Sequence, residues 1–178
     1  MERAVRLEDI DNAQSLVGLF LQRAGEQGDK PFLTAKRADG WQSISYSQAE
    51  RMVCLMAASL RRLGLTDGDR VMIVSENRPE WCIADLAIMA AGCITTPAYT
   101  TNTESDHRHI LDDSGAKAVF VSDAKLAKAL LPAIIKAGET RQVIAMEELP
   151  SAHQSGAIEM HGWQSLVEGD YATARADV

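Results

Sequence analysis

The chain lacks the glycine signatures that would make it a phosphate-binding unit by itself. No G-x-G-x-x-G follows an apolar run, and no G-x-x-x-x-G-K-[ST] occurs anywhere in the 178 residues. Nothing matches the G-x-S-x-G nucleophile elbow or the zinc-binding H-E-x-x-H, so a complete catalytic apparatus of those kinds is excluded. No stretch approaches the roughly 20 apolar residues of a membrane span. The first thirty residues mix acids with bases and hold no continuous apolar core, so no signal peptide is expected there. Basic residues do not cluster either. The net charge is −7 and the pI is near 5.1, which argues against a nucleic-acid surface. The pair Arg61-Arg62 is expected on a solvated helix face. Cysteine is sparse: Cys54, Cys82 and Cys93 lie unevenly inside apolar segments, with no CxxC and no histidine alternation. That pattern gives neither a disulfide framework nor a metal site, and buried free thiols in a reducing, cytoplasmic setting are the simpler expectation.

What remains is an ordinary capacity to fold. The sequence is 46% hydrophobic and 24% charged, enough apolar mass for a packed core. The most informative stretch runs from Asp69 to Thr103. The apolar run Val71 to Val74 ends in Ser75-Glu76-Asn77. Pro79 opens a helical pattern lasting to about Ala91, and Gly92 stops it. A second run, Cys93 to Pro97, leads into a threonine-rich loop carrying Tyr99. Two strand-like runs around one helix make a β-α-β unit with parallel strands. Its helix is apolar nearly all round, so it needs cover beyond a single sheet.

The rest of the chain extends that layer. Residues 1–14 are polar with alternating charge and are expected to be a loosely held leader. Leu16, Leu19, Phe20 and Arg23-Ala24 give an amphipathic helix from Ser15 that ends at Gly25 or Gly28. Pro31 to Lys36 and Trp41 to Tyr46 form a hairpin around Ala38-Asp39-Gly40, because glycine tolerates positive φ. Ser47 with Glu50 three residues later resembles a capping box for a helix from Gln48 to Leu63. Its methionines, Met52 and Met56, are expected to fill core. Thr103 with Asp106 caps a helix to about Asp113, which Ser114-Gly115 terminates. Lys117 to Val121 and Gln142 to Met146 are further strands, separated by a helix capped at Ser122 or Asp123. Alternation over 70–146 predicts an α/β layer with a largely parallel sheet and helices on both faces. The pattern decays after Glu147. Residues 148–178 are expected to be a connecting segment, with a short helix from Gly162 to Gly169.

In such a sheet, ligands gather at the carboxyl ends of the strands. The candidates there are Glu76, Asn77, Tyr99 with its threonines, Ser122-Asp123 and Glu147-Glu148. Glu76 and Asn77 are most simply helix caps. Glu147-Glu148 are expected to be solvated. His107 and His109 are two residues apart on a helix and point to different faces, so they do not share a metal. Tyr99, Thr100 and Thr101 are the residues best placed to approach a ligand.

SYSQAE (45–50), LRRLGLTDGDRV (60–71), ENRPEW (76–81), MAAGCITTPAYTTNT (89–103) and ILDDSGAKAVFVSD (110–123) occur in register. In this order they resemble the start of the adenylate-forming acyl-CoA synthetases, and the PAYTT stretch resembles the long-chain fatty acid–CoA ligases. The resemblance covers about residues 15–147. It implies a partial large domain of the synthetase fold. It also implies a parent enzyme that joins a fatty acid to ATP, with Mg2+ assisting, and passes the acyl group to coenzyme A. The family's phosphate loop, acidic ribose-binding motif and C-terminal lysine have no counterpart in these residues. No catalytic, cofactor-binding or metal residue is therefore transferred, no cofactor is expected bound to this chain alone, and the chain is expected to be inactive alone. Tyr99, Thr100 and Thr101 are expected next to substrate. The helix from Glu104 departs from the family, with His107 and His109 where apolar or aromatic residues are usual. In the complete large domain the buried helix would be covered from both sides by two sheets, the second supplied by residues outside this chain. Exposed apolar surface would then favour self-association, and the setting would be cytoplasmic or peripheral to a membrane. Two other readings stand beside this one: a self-standing α/β interaction module derived from such a ligase, and an adenylate-forming enzyme for amino or aromatic acids.

Overall fold

A computed structural model describes residues 15–150 and 158–178. Its first helix, α1 (Leu16–Gln27), starts where the Ser15 hydroxyl accepts the Gly18 amide at 2.9 Å. Val17, Phe20 and Ala24 form its buried stripe, while Leu16 faces out. An antiparallel hairpin follows, β1 (Pro31–Arg37) and β2 (Gly40–Ser45), closed by Gly40 at φ 124°.

Helix α2 (Tyr46–Arg62) begins two residues earlier than its sequence pattern suggests. Ser45 is the N-cap and forms the capping box with Gln48, so the Ser47–Glu50 pair plays no such part. The strand simply ends sooner, and Ser45 is the first hydroxyl with a glutamine three residues on. Glu50 is free to bind Arg175 at 2.7 Å.

The main sheet has five strands in the order β4-β3-β5-β6-β7, all parallel. They are β3 (Arg70–Val74), β4 (Ile94–Ala98), β5 (Ala118–Val121), β6 (Gln142–Ala145) and β7 (Glu159–Gly162). The central strands β3 and β5 are apolar and buried along nearly their whole length, as expected for strands covered on both faces. Strand β7 lies within the segment that the fading pattern leaves as a connector. Its sequence, EMHG, carries almost no hydrophobic signal because an edge strand needs little burial and benefits from polar side chains.

Helices α4 (Glu104–Ser114) and α5 (Ala124–Ala137) cover one face of the sheet, against Met72, Val74, Val119, Val121 and Val143. Gly115, in the left-handed region at φ 60°, ends α4 as expected, and Asp123 rather than Ser122 caps α5. The opposite face, with Val71, Ile73, Ala118, Phe120 and Ile144, meets α3 (Pro79–Ala90) and, behind it, α1, α2 and the hairpin. Short helices α6 (Trp163–Leu166) and α7 (Tyr171–Ala176) strap α2. The Ser59 hydroxyl donates to the Leu166 carbonyl at 2.7 Å. Arg61 is not a solvated cation. It donates to the carbonyls of Ala90 and Asp177 and so ties three elements together.

The cover over α3 corrects an expectation. Ile83, Ala84, Ala87 and Ile88 are fully enclosed, and the second layer over them is α1, α2 and β1 of this same chain. Fully burying each isoleucine contributes about 2 kcal/mol. After α3 the chain turns at Gly92, where φ is 80° and a Cβ would lie 2.2 Å from an Asp67 carboxylate oxygen. Only glycine fits that approach. Among the described residues, no helix is long and apolar enough to cross a membrane.

Candidate functional site at the carboxyl edge of the sheet

Connections leave β3 and β5 toward opposite faces, so the strand order reverses between them. In doubly wound sheets that reversal opens the crevice where ligands bind. Here the loops after β3 and β5 are pinned together at that point. The Ser122 hydroxyl donates to a Glu76 carboxylate oxygen at 2.7 Å, and the Ser122 amide donates to the Val74 carbonyl at 3.1 Å. Glu76 is therefore a cross-strand brace and not a helix cap. Asn77 does not cap α3 either: Arg78 occupies the N-cap position without a side-chain cap, and Pro79 follows. Proline has no N–H to satisfy, so a side-chain acceptor there is less needed.

Arg78 is the residue that pattern reading overlooked. Its guanidinium donates to Glu80 from Nε at 2.8 Å and to Glu147 from Nη1 at 2.8 Å. Arg37 on the hairpin donates to the other Glu80 oxygen at 2.8 Å. Burial pushes the Glu80 carboxyl up, but the Arg78 hydrogen bond, its own backbone N–H and the charges of Arg78 and Arg37 outweigh this. The net position is below the usual carboxylate range. The hint in the sequence was a lone arginine between the polar end of a strand and a proline-started helix. Its partner Glu147 lies far along the chain, beyond the reach of any local pattern. Glu147 is thus an ion-pair partner on its solvated side of the edge.

Tyr99, Thr100 and Thr101 lie one strand away, past the end of edge strand β4. Tyr99 is 81% exposed, and its carbonyl accepts the Asn102 amide at 3.2 Å in a turn. Thr100 is half-buried and Thr101 exposed. The same loop closes on Thr103, whose hydroxyl accepts the Asp106 amide while the Asp106 carboxylate accepts the Thr103 amide. Backbone and hydroxyl hydrogen bonds from Thr103 hold the Asp106 carboxyl low. Thr95 faces the α3 side with its hydroxyl buried and unpartnered.

The histidines separate as the helical period requires. His107 is buried, with Nδ1 lacking a partner, while His109 is exposed. Burial lowers the His107 pKa, with Asp106 opposing. Cys54, Cys82 and Cys93 are all free, and Cys82 is only half-buried. Burial pushes the Cys54 thiol up to about 11, leaving it protonated and unreactive.

Two cavities open along this edge. One, of about 310 Å3, is lined by Met146, Glu147, Met160 and Trp163 among others; the second, of about 580 Å3, lies between the hairpin and α3 and includes Trp41, Arg78 and Trp81. Among the described residues no group of three or more His, Cys, Asp or Glu is placed to hold a metal. The strand-end loops also carry no glycine run to cradle a phosphate. No chemical step is assigned to these residues.

The architecture defines the class: a doubly wound parallel sheet like that in adenylate-forming enzymes. The adenylation domain of a carboxylate reductase from Mycobacterium chelonae superposes with a TM-score of 0.75 at 14% identity, over 94% of this chain and 30% of that one. The adenylation–carrier didomain of carboxylic acid reductase from Segniliparus rugosus, in complex with AMP, gives 0.78 at 13% identity, over 95% and 28%. At that identity the likeness is one of fold. Residues 20–173 match the AMP-binding enzyme family, and the chain belongs to it. It is similar to the long-chain-fatty-acid–CoA ligase FadD15 of Mycobacterium tuberculosis, 37% identical over 97 residues, which is 53% of this chain and 16% of the relative. It is similar to human ACSBG1, also named a long-chain-fatty-acid–CoA ligase, at 28% over 83% of this chain and 20% of the relative. It is similar as well to a naringenin synthase of Pestalotiopsis fici, at 33% over 85% and 6%. The chain thus spans at most about a fifth of the length of these three relatives.

Proposed function

We propose that this chain is the N-terminal portion of an ATP-dependent long-chain fatty acid–CoA ligase. The parent enzyme would convert acid, ATP and coenzyme A to acyl-CoA, AMP and pyrophosphate through an acyl-adenylate, with Mg2+ assisting. The observation that carries this reading is the family match over residues 20–173, joined to relatives named as long-chain ligases. The naringenin synthase and the acyl-CoA ligase azaF of Aspergillus niger favour a second reading, an adenylate-forming enzyme for another acid. A self-standing binding module derived from such a ligase is the third.

In the first reading the described residues supply scaffold, and Tyr99, Thr100 and Thr101 lie next to substrate. Their support is a strand-end position and the exposure of Tyr99. The deciding experiment assays the protein in its full reading frame against a panel of carboxylic acids, following pyrophosphate release and thioester formation. Long-chain fatty acids should be the preferred substrates. Preference for aromatic or amino acids would select the second reading, and no adenylation of any acid the third. The 178 residues alone should neither form an adenylate nor bind Mg-ATP tightly; micromolar binding by calorimetry would overturn that. Self-association through the exposed side chains of Leu16, Trp41, Ile94 and Ile135 belongs to the same reading. A clean monomer by light scattering at high concentration counts against it. The setting that accompanies this activity is cytoplasmic or peripheral to a membrane.

A further inference from the structure

One ion pair links the linings of the two cavities at the carboxyl edge. Glu147 lines the smaller and Arg78 the larger, and the pair joins residues 69 apart in sequence. The partners are unequal. The Arg78 side chain is 14% exposed and gripped by Glu80, which Arg37 holds in turn; the Glu147 side chain is 55% exposed. Arg78 is thus the fixed half and Glu147 the half that could move. Glu147 also starts the loop after β6, and its amide donates to the Ser122 carbonyl at 3.0 Å, beside the Glu76–Ser122 brace.

We propose that Arg78 is a positioning residue for the reaction: held by Glu80, it fixes residues 146–150 after β6 through Glu147. The proposal rests on the ligase reading, in which this edge faces substrate. A half-exposed ion pair by itself stabilises little. A guanidinium anchored at one end by a carboxylate under burial is different, because its planar fork sets direction as well as charge. Lysine would supply the charge without the fork.

The test uses Arg78→Gln, Arg78→Lys, Glu147→Gln and the Arg78→Gln/Glu147→Gln double variant of the full-length protein, with Lys117→Gln as a surface control. Hydrogen exchange over residues 146–150 should quicken about tenfold in each of the four test variants and stay unchanged in the control. The enzyme's kcat/KM should fall about tenfold in each single variant. The double variant should be no worse than Arg78→Gln alone, since that substitution has already removed the Arg78–Glu147 contact. Unchanged exchange overturns the proposal whatever the activity. Quickened exchange with unchanged kcat/KM, or losses that multiply in the double variant, overturns the positioning role. A fall in kcat/KM that tracks a lowered melting temperature, in Glu147→Gln as well as Arg78→Gln, also overturns it, because that is a stability effect. A wild-type protein without ligase activity defeats the functional reading instead, and the exchange result still decides whether Arg78 holds the loop.

Discussion

The two faces of the sheet are built to different depths. On one side α3 lies against β3 and β4 and is then roofed by α1, α2 and the hairpin, so that Ile83 and Ile88 see no solvent. On the other side α4 and α5 form a single layer, and an isoleucine such as Ile135 is 48% exposed on its outer surface. The sequences differ accordingly. Helix α3 has no exposed residue, and seven of its twelve are buried, whereas α4 buries only His107 and Leu111. A helix without a polar face reports how many neighbours it has, not which chain segments supply them.

Cavity-forming substitutions should separate the two faces most sharply. Ile83→Ala removes atoms from a site enclosed on every side, and the neighbours cannot collapse into the gap without disturbing two layers. The expected loss is about 3 kcal/mol of unfolding free energy. Ile135→Ala, on the single-layer side, should stay within about 0.5 kcal/mol. Urea denaturation of both variants measures the contrast. Similar midpoints for the two would mean that α3 is not enclosed as described.

Much of this fold was legible because its central strands are short, continuous apolar runs closed by capping residues. Thr103–Asp106, Gly115, Asp123 and Gly92 each marked a boundary through one local physical requirement. Strand β7 was not legible, since an exposed edge strand of four residues has no hydrophobic pattern to show. The roof over α3 was misassigned for a related reason. Its residues, Phe20 and Met56 among them, were visible as apolar positions of two helices, but nothing local says which surface such positions meet. At the site, the Tyr99 loop could be placed from the strand-end rule, while Arg78–Glu147 and Glu76–Ser122 are contacts between distant segments and leave no local trace.

Helix caps offer a smaller contrast within the deep face. Ser45 accepts the Gln48 amide and Gln48 reaches back to the Ser45 amide, so Ser45→Ala should cost about 1 kcal/mol. Ser47 lies inside the first turn of α2, and Ser47→Ala should cost almost nothing by the same measurement. Because α2 forms the roof of α3, the loss at Ser45 should appear in global unfolding and not as local fraying. A larger loss at Ser47 than at Ser45 would restore the register first suggested by the sequence.

The smallest effect concerns the shallow face and its buried histidine. His107 is 1% exposed with Nδ1 unpartnered, and burial lowers its pKa from the ordinary 6.5 despite the nearby Asp106. The unfolded chain therefore binds the proton more readily than the folded one. Stability from the neutral imidazole is fully present above about pH 6.5 and declines as the pH falls from there toward the lower folded-state value. His107→Leu removes that proton from the balance, so its stability should fall less than the wild type's between pH 7 and pH 5.5. His109→Gln, on the exposed side of the same helix, should keep the wild-type slope. Chemical denaturation at several pH values gives the comparison directly. Parallel curves for wild type and His107→Leu would show that the imidazole takes up its proton in the folded protein without resistance, and that the single layer formed by α4 and α5 admits water where the deep face does not.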